Sequence, residues 1–207
     1  MADPAPTPYI SYEEYLALEE KSLTKHEWLD GVVVDMDALG RARGTIEHAF
    51  IIASVIGELG NQLHRRRAQV FPSDLRLRVV ATGLATYPDA SVVCNKVELD
   101  PDDRNAITNP AVLIEVLSDS SEAYDRGEKF AHYRRIPSLR EYVLVSQRRP
   151  LIEVWRKNDE GLWVLAEEAT AGQVAKLASI GCSLSVDEIY ADPLRETDDD
   201  VPAATPS

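Results

Sequence analysis

The spacing of apolar residues changes period several times along the chain, and each change predicts an element. Ser11-Tyr12-Glu13-Glu14 has the form of a capping box and opens a short helix through about Glu20. His26 to Met36 reads as a hairpin around the turn dipeptide Asp30-Gly31. Ile52, Val55, Ile56, Leu59 and Leu63 recur at helical spacing, which predicts the longest helix from about Thr45 to Arg66, with Arg65-Arg66-Arg67 at the negative end of its dipole. Strands are predicted near 69–71, 75–80 and 87–94, and the polar stretch 99–109 reads as a surface loop. Asn109 to Ser118 carries a nearly continuous apolar run, as expected of a central strand covered on both faces. A helix from about Glu122 to Arg135 follows and stops at Pro137. Residues 141–146, 151–157 and 162–167 predict a closing strand and hairpins, 174–182 a weaker strand region, and 185–190 a final helical turn. This order predicts an α/β domain with a mixed central sheet flanked by helices and additional β-hairpins.

Composition sharpens this picture only in places. A chain of 207 residues, 44% hydrophobic and 28% charged, suits one well-formed core. Residues 1–9 form a Pro/Ala-rich leader and 40–44 a Gly/Arg loop. From Asp192 onward Asp and Glu face only Arg195, among three prolines, so 192–207 reads as an acidic disordered tail after a domain at 10–191. The net charge of −13 argues mildly against tight non-specific DNA binding without excluding a local basic groove. Cys94 and Cys182 lack CxxC spacing and read as free thiols of a reducing cytosol. No apolar run reaches the length of a membrane span, so a cytoplasmic location without membrane association is expected.

The chemistry lies in two acids. Glu115 interrupts an apolar strand, where an unpaired carboxylate is costly and calls for a proton, a cation or a metal. Asp89 follows Pro88 in a second strand-like run. Alternation puts Asp89, Ser91 and Val93 on one face of their strand, and Leu113, Glu115 and Leu117 on one face of theirs. If the strands are neighbours, Asp89 and Glu115 can share a hard divalent cation such as Mg²⁺, with Mn²⁺ as a substitute.

Several stretches together resemble the Uma-two family of the restriction-endonuclease-like PD-(D/E)xK superfamily. They are His26-Glu27-Trp28-Leu29-Asp30-Gly31, Glu47-His48, Tyr87-Pro88-Asp89, Glu115-Val116-Leu117-Ser118, Tyr124-Asp125-Arg126-Gly127-Glu128-Lys129 and Ile136-Pro137-Ser138-Leu139-Arg140-Glu141-Tyr142. The resemblance implies a restriction-endonuclease-like core and a metal-dependent endonuclease acting on DNA. Asp89 and Glu115 would be metal ligands, and the backbone carbonyl of Val116 a third. The superfamily usually carries a lysine two residues after the glutamate. Leu117 stands there, and Lys129 on the following helix is the natural substitute.

Each remaining candidate has a plainer alternative. Lys129 could be a surface lysine paired with Asp125, and Asp89 could simply end a turn after proline. Glu27 either reaches the metal or is an exposed acid beside the Asp30-Gly31 turn. His48 contacts phosphate, transfers a proton or is structural. Arg41, Arg43, Arg65, Arg66, Arg67, Arg134 and Arg135 would form a DNA groove only if they cluster around the acids. Two other functions stay open: a catalytically inactive nucleic-acid-binding or regulatory module with the same fold, and a homodimer formed through hairpins around Trp155 and Trp163. No zinc spacing and no Gly-rich phosphate loop is present.

Overall fold

The computed structural model describes residues 8–36 and 45–191. The tail 192–207, the loop 40–44 with Arg41 and Arg43, and the leader apart from Pro8 and Tyr9 lie outside the described residues. Helix α1 (Tyr12–Glu19) starts on the expected capping box: Ser11 Oγ accepts from Glu14 N–H, and the Glu14 carboxylate accepts from Ser11 N–H. Strands β1 (His26–Leu29) and β2 (Val32–Asp35) form the hairpin, with Asp30 and Gly31 both at positive φ. Helix α2 (Ile46–Leu63) is shorter than its apolar period suggests. It ends because His64 turns extended and Arg65 adopts left-handed φ, so Arg65–Arg67 lie beyond its last turn.

Strands β3 (Ala68–Pro72), β4 (Arg76–Val79), β5 (Leu84–Thr86), β6 (Ala90–Cys94), β7 (Ala106–Ile107) and β8 (Val112–Leu117) follow. The strand expected over 87–94 starts only at Ala90, and β5 just before it, which was not expected, belongs to the other sheet. Pro88 cannot donate to a ladder, and residues 87–89 carry the chain from one sheet to the other. The stretch expected as a surface loop at 99–109 holds β7, which pairs parallel to β4 and buries Asp100, Asp103, Ala106 and Ile107. The helical segment after β8 comprises α3 (Glu122–Tyr124), a π-helical turn over Asp125–Lys129, and α4 (Phe130–Tyr133). Strands β9 (Glu141–Ser146), β10 (Leu151–Lys157) and β11 (Trp163–Thr170) come next. The weak region at 174–182 resolves into a hairpin of β12 (Val174–Leu177) and β13 (Cys182–Ser185), before α5 (Val186–Tyr190).

A five-stranded sheet has the order β2-β1-β5-β4-β7 and a six-stranded sheet the order β11-β10-β9-β8-β6-β3. Both are mixed, β8 running parallel to β9 and antiparallel to β6. The molecule is thus an α/β fold with mixed sheets flanked by few helices. Strand β8 is buried along its whole length, the consequence of its double-faced apolar run. Val112, Ile114 and Val116 meet Ile51, Val55 and Leu59 of α2, whereas Leu113 and Leu117 belong to a second core with Phe130, Tyr133 and Tyr142. Trp155 and Trp163 pack on Phe130, with ring centroids 5.7 and 5.3 Å away, and both indoles are half-buried. No helix among the described residues is long and apolar enough to cross a membrane.

Candidate active site

Strand pairing brings the two sequence-predicted acids together. Ala90 of β6 lies opposite Ile114 of β8, which puts Asp89 beside Glu115 at the open end of the pair. The Asp89 N–H donates to Glu115 Oε2 at 3.3 Å, and Val116 N–H donates to Asp89 Oδ2 at 2.7 Å. Asp89 is thus more than a post-proline turn residue: its carboxylate is tied to the next strand.

Lys129 reaches the same place from the other core. It is 4% exposed, which overturns the surface-lysine alternative. Its Nζ lies 2.8 Å from Glu115 Oε1 and 3.4 Å from Asp125 Oδ1. The π-helical turn buries both Asp125 and Lys129. Local π-bulges of this type are frequent at functional sites. Leu117, in the position where the superfamily has its lysine, packs in the second core instead. Tyr133, which the sequence reading did not single out, donates its hydroxyl to Glu115 Oε1 at 2.9 Å and is fully buried. Its only sequence signal is its place on the helix after the π-turn. Both donors therefore act on one oxygen of Glu115, and Oε2 faces Asp89.

His48 closes the opposite side. Thr45 caps α2 by accepting from His48 N–H, and the imidazole Nε2 lies 3.2 Å from Asp89 Oδ2. Glu27 is 4% exposed, so it is not an exposed acid beside the hairpin turn. It accepts from the Thr86 hydroxyl at 2.5 Å and the Tyr124 hydroxyl at 3.0 Å. It stands behind Lys129, near enough for its charge to act on that ammonium.

Among the described residues, Asp89, Glu115 and Asp125 meet one lysine and one histidine, with Glu27 behind Lys129. Burial holds the Glu115 carboxyl well above its usual range; Lys129 opposes this, while Asp125 and Asp89 reinforce it. Burial would lower the Lys129 ammonium, but Glu115, Asp125 and Glu27 outweigh it and keep lysine charged. Burial likewise works against a charged His48, but the hydrogen bond and charge of Asp89, helped by the Val116 backbone, leave it raised above 6.5.

A crevice opens between these groups, bordered by His48, Tyr87, Asp89, Glu115, Asp125 and Lys129. It gives about 20 Å³ to a water-sized particle, room for a single water or a small ion. Among the described residues no group of three His, Cys, Asp or Glu side chains forms a ready cage. The oxygens here that could serve a hard cation are those of Asp89 and Glu115 Oε2, with the Val116 carbonyl that the resemblance implies and water completing the shell. Such an ion would offset the mutual repulsion of Asp89, Asp125 and Glu115, which meet here among the described residues.

Among the described residues, Arg65–Arg67 and Arg134 do not border the crevice. Arg65–Arg67 lie at the far end of α2 from His48, about 24 Å along a helix rising roughly 1.5 Å per residue. Arg134 stacks on Phe130.

Residues 12–187 match the Uma2 family, described as "Putative restriction endonuclease". The chain is 39% identical over 189 residues to the uncharacterized protein slr1290 of Synechocystis sp. (strain ATCC 27184 / PCC 6803 / Kazusa), covering 90% of this chain and 94% of the relative. A second uncharacterized protein of that strain, sll1609, is 30% identical over 163 residues, covering 79% of this chain and 89% of the relative. Among solved structures, one described as a "putative nuclease belonging to DUF820" from Anabaena variabilis ATCC 29413 superposes with a TM-score of 0.67 at 17% identity. That match covers 87% of this chain and 97% of that one, a likeness of fold.

Proposed function

The chain belongs to the Uma2 family, and from that premise we propose that it is a nuclease whose crevice hydrolyses DNA phosphodiester bonds with the help of Mg²⁺, for which Mn²⁺ can substitute. The observation that carries the reading is the convergence of Asp89 and Glu115 across neighbouring strands, with the Lys129 ammonium 2.8 Å from Glu115. Asp89, Glu115 Oε2 and the Val116 carbonyl would hold the ion. When bound, a hard divalent cation lowers the pKa of a ligated water and offsets charge on a phosphodiester.

The remaining steps belong to the chain itself. Lys129, held charged by Glu115 and Asp125, is placed to orient the attacking water and to meet the extra negative charge of the pentavalent phosphate. It replaces the in-strand lysine of the superfamily from another element, which explains why Leu117 can serve the core. His48 steadies the Asp89 carboxylate and is positioned to give a proton to the leaving oxygen. Tyr133 keeps Glu115 Oε1 occupied, leaving Oε2 for the cation. Glu27 adds to the field that keeps Lys129 protonated.

The test is nicking of supercoiled plasmid by the purified protein with Mg²⁺ or Mn²⁺, repeated with Asp89→Asn. Metal-dependent nicking that disappears in the variant supports the reading; no nicking, or nicking that survives Asp89→Asn, rejects it. One observation favours a second reading, a non-cleaving DNA-binding module: Lys129 and His48 already rest on the two acids. Metal-independent binding without cleavage would select it.

A further inference from the structure

Far from the crevice, among the described residues, four exposed cations lie together. Arg65, Arg66 and Arg67 leave α2, and Lys96 follows β6; all four are exposed. Two left-handed residues, Arg65 (φ 65°) and Asn95 (φ 64°), fold the two segments side by side, and Asn95 N–H donates to the Arg67 carbonyl at 2.6 Å. Two clefts adjoin there: Arg66, Arg67 and Lys96 border one, His64, Arg65 and Arg66 the other. The guanidinium of Arg66, shared by both, is fixed by the carbonyls of Ile180 and Gly181, each at 3.1 Å.

Several basic side chains elsewhere are matched with acids, Lys25 with Asp74, Arg126 with Glu153, Arg148 with Asp119 and Arg156 with Glu141, while others such as Lys21, Arg104 and Lys176 are exposed without an ion pair among the described residues but stand singly. Among the described residues Arg65, Arg67 and Lys96 have no such partner. In a chain with 35 acidic and 22 basic residues, four clustered exposed cations make a local positive field that attracts an anion. We infer that this patch binds the phosphate backbone of duplex DNA, and so forms a second contact of the substrate taken by the crevice; the inference rests on the proposed nuclease function.

The topology supports one continuous track. Both α2 and the β3–β6 ladder run from the crevice to the patch: His48 and the Pro72–Ala90 pair at one end, His64 and the Ala68–Cys94 pair at the other. A separation of about 24 Å along α2 corresponds to about seven base pairs of B-DNA at roughly 3.4 Å each. A duplex lying along this track meets the acids at one end and the arginines at the other. Phosphate contacts of this type position the duplex without reading its sequence.

The experiment is fluorescence anisotropy with a labelled duplex of about 30 base pairs, in EDTA so that nothing is cut, between about 50 and 200 mM salt. The variant Arg65→Asn/Arg67→Gln/Lys96→Gln removes three charges at exposed positions and keeps Arg66. It should bind at least about tenfold more weakly at the lowest salt, with a log–log salt slope smaller by about 2.7, near 0.9 per lost contact. A control, Lys21→Gln/Arg104→Gln/Lys176→Gln, changes the net charge equally at exposed positions outside the patch and should keep wild-type affinity. Circular dichroism confirms that both variants are folded. Wild-type protein that binds and nicks DNA, with a triple variant of unchanged affinity and slope, overturns the inference alone. Equal losses in patch and control variants also overturn it, reducing the effect to net charge. Wild-type protein that neither binds nor nicks DNA removes the inference together with the reading it rests on.

Discussion

Glu115 and Glu141 are buried on strands that run side by side in the six-stranded sheet, yet they sit in opposite chemical situations. Glu141 is met by donors on every side: Arg156 Nε at 2.6 Å, Ala178 N–H at 3.0 Å, Ser179 N–H at 3.2 Å and the Ser179 hydroxyl at 2.5 Å. It welds β9 to β10 and to the turn after β12. Glu115 has its two strong donors on one oxygen, turns the other toward a second acid, and borders a crevice. Burial of a carboxylate alone therefore does not mark chemistry. What separates the two is neighbouring acid and access: Glu141 is met in place by Arg156 and three further donors, whereas Glu115 lies beside Asp89 and Asp125 at a crevice.

Substitutions can break this contrast, and the largest effect is expected in catalysis. Asp89→Asn should reduce plasmid nicking by more than the roughly 10–100-fold typical of an outer-shell partner of a metal. Glu141→Gln should leave nicking within a few-fold of wild type and instead lower stability by about 1–3 kcal/mol in a denaturant titration, as expected for imperfectly satisfied buried donors. Comparable loss of nicking in folded Glu141→Gln would erase the distinction.

Next comes the buried ion pair. Lys129→Met leaves Glu115 and Asp125 without their shared cation, which should destabilise the fold by about 3–5 kcal/mol. Adding Glu115→Gln should recover most of that stability and none of the nicking. Urea midpoints of the two variants decide this: if the single and double variants unfold together, Lys129 is not the counter-ion of Glu115.

How much of this was legible beforehand follows the same physics. The double-faced run at 112–117 announced a central strand, and an acid inside it announced an electrostatic problem. The capping box, the Asp30-Gly31 hairpin and the periodic face of α2 are local signals, and local signals suffice for local structure. The division of 84–94 between two sheets depends on where Pro88 meets tertiary packing, which no local period encodes. Glu141 was invisible as a buried acid because its donors come from 156, 178 and 179, distant in sequence. Tyr133 was missed because a tyrosine on a helix reads as core until its hydroxyl is seen to touch Glu115. The buried network in which Arg76 bonds Asp103 and Tyr87 under α1 was likewise hidden in a stretch that reads as polar loop.

A smaller effect is expected from Tyr133→Phe, which deletes one hydroxyl and keeps the ring packed against Tyr142. Losing a hydrogen bond to a charged group should lower stability by about 1.5–3 kcal/mol. If Tyr133 reserves Oε2 for the cation, Mg²⁺ affinity measured by calorimetry should fall as well. Lost stability with unchanged affinity would reduce Tyr133 to a structural role like that of Ser179 beside Glu141.

The subtlest difference should appear in pH. Glu115 in the folded protein is raised well above 4.5 by burial, and His48 is raised above 6.5 because Asp89 outweighs its burial. Both groups thus bind protons more tightly folded than unfolded. Their contribution to stability is complete below the unfolded values and is lost as pH rises through the folded ones. Each can add a slope of at most about 1.4 kcal/mol per pH unit. Other carboxylates contribute with the opposite sign, so the informative quantity is the difference between wild type and variant. In metal-free protein between about pH 5 and 8, Glu115→Gln should lose less stability with rising pH than wild type does. A divalent cation, which favours the ionised cluster, should flatten the wild-type curve toward that of Glu115→Gln. Parallel curves for wild type and Glu115→Gln would mean that the protein neighbours of Glu115 fully compensate it, leaving a metal nothing to gain there.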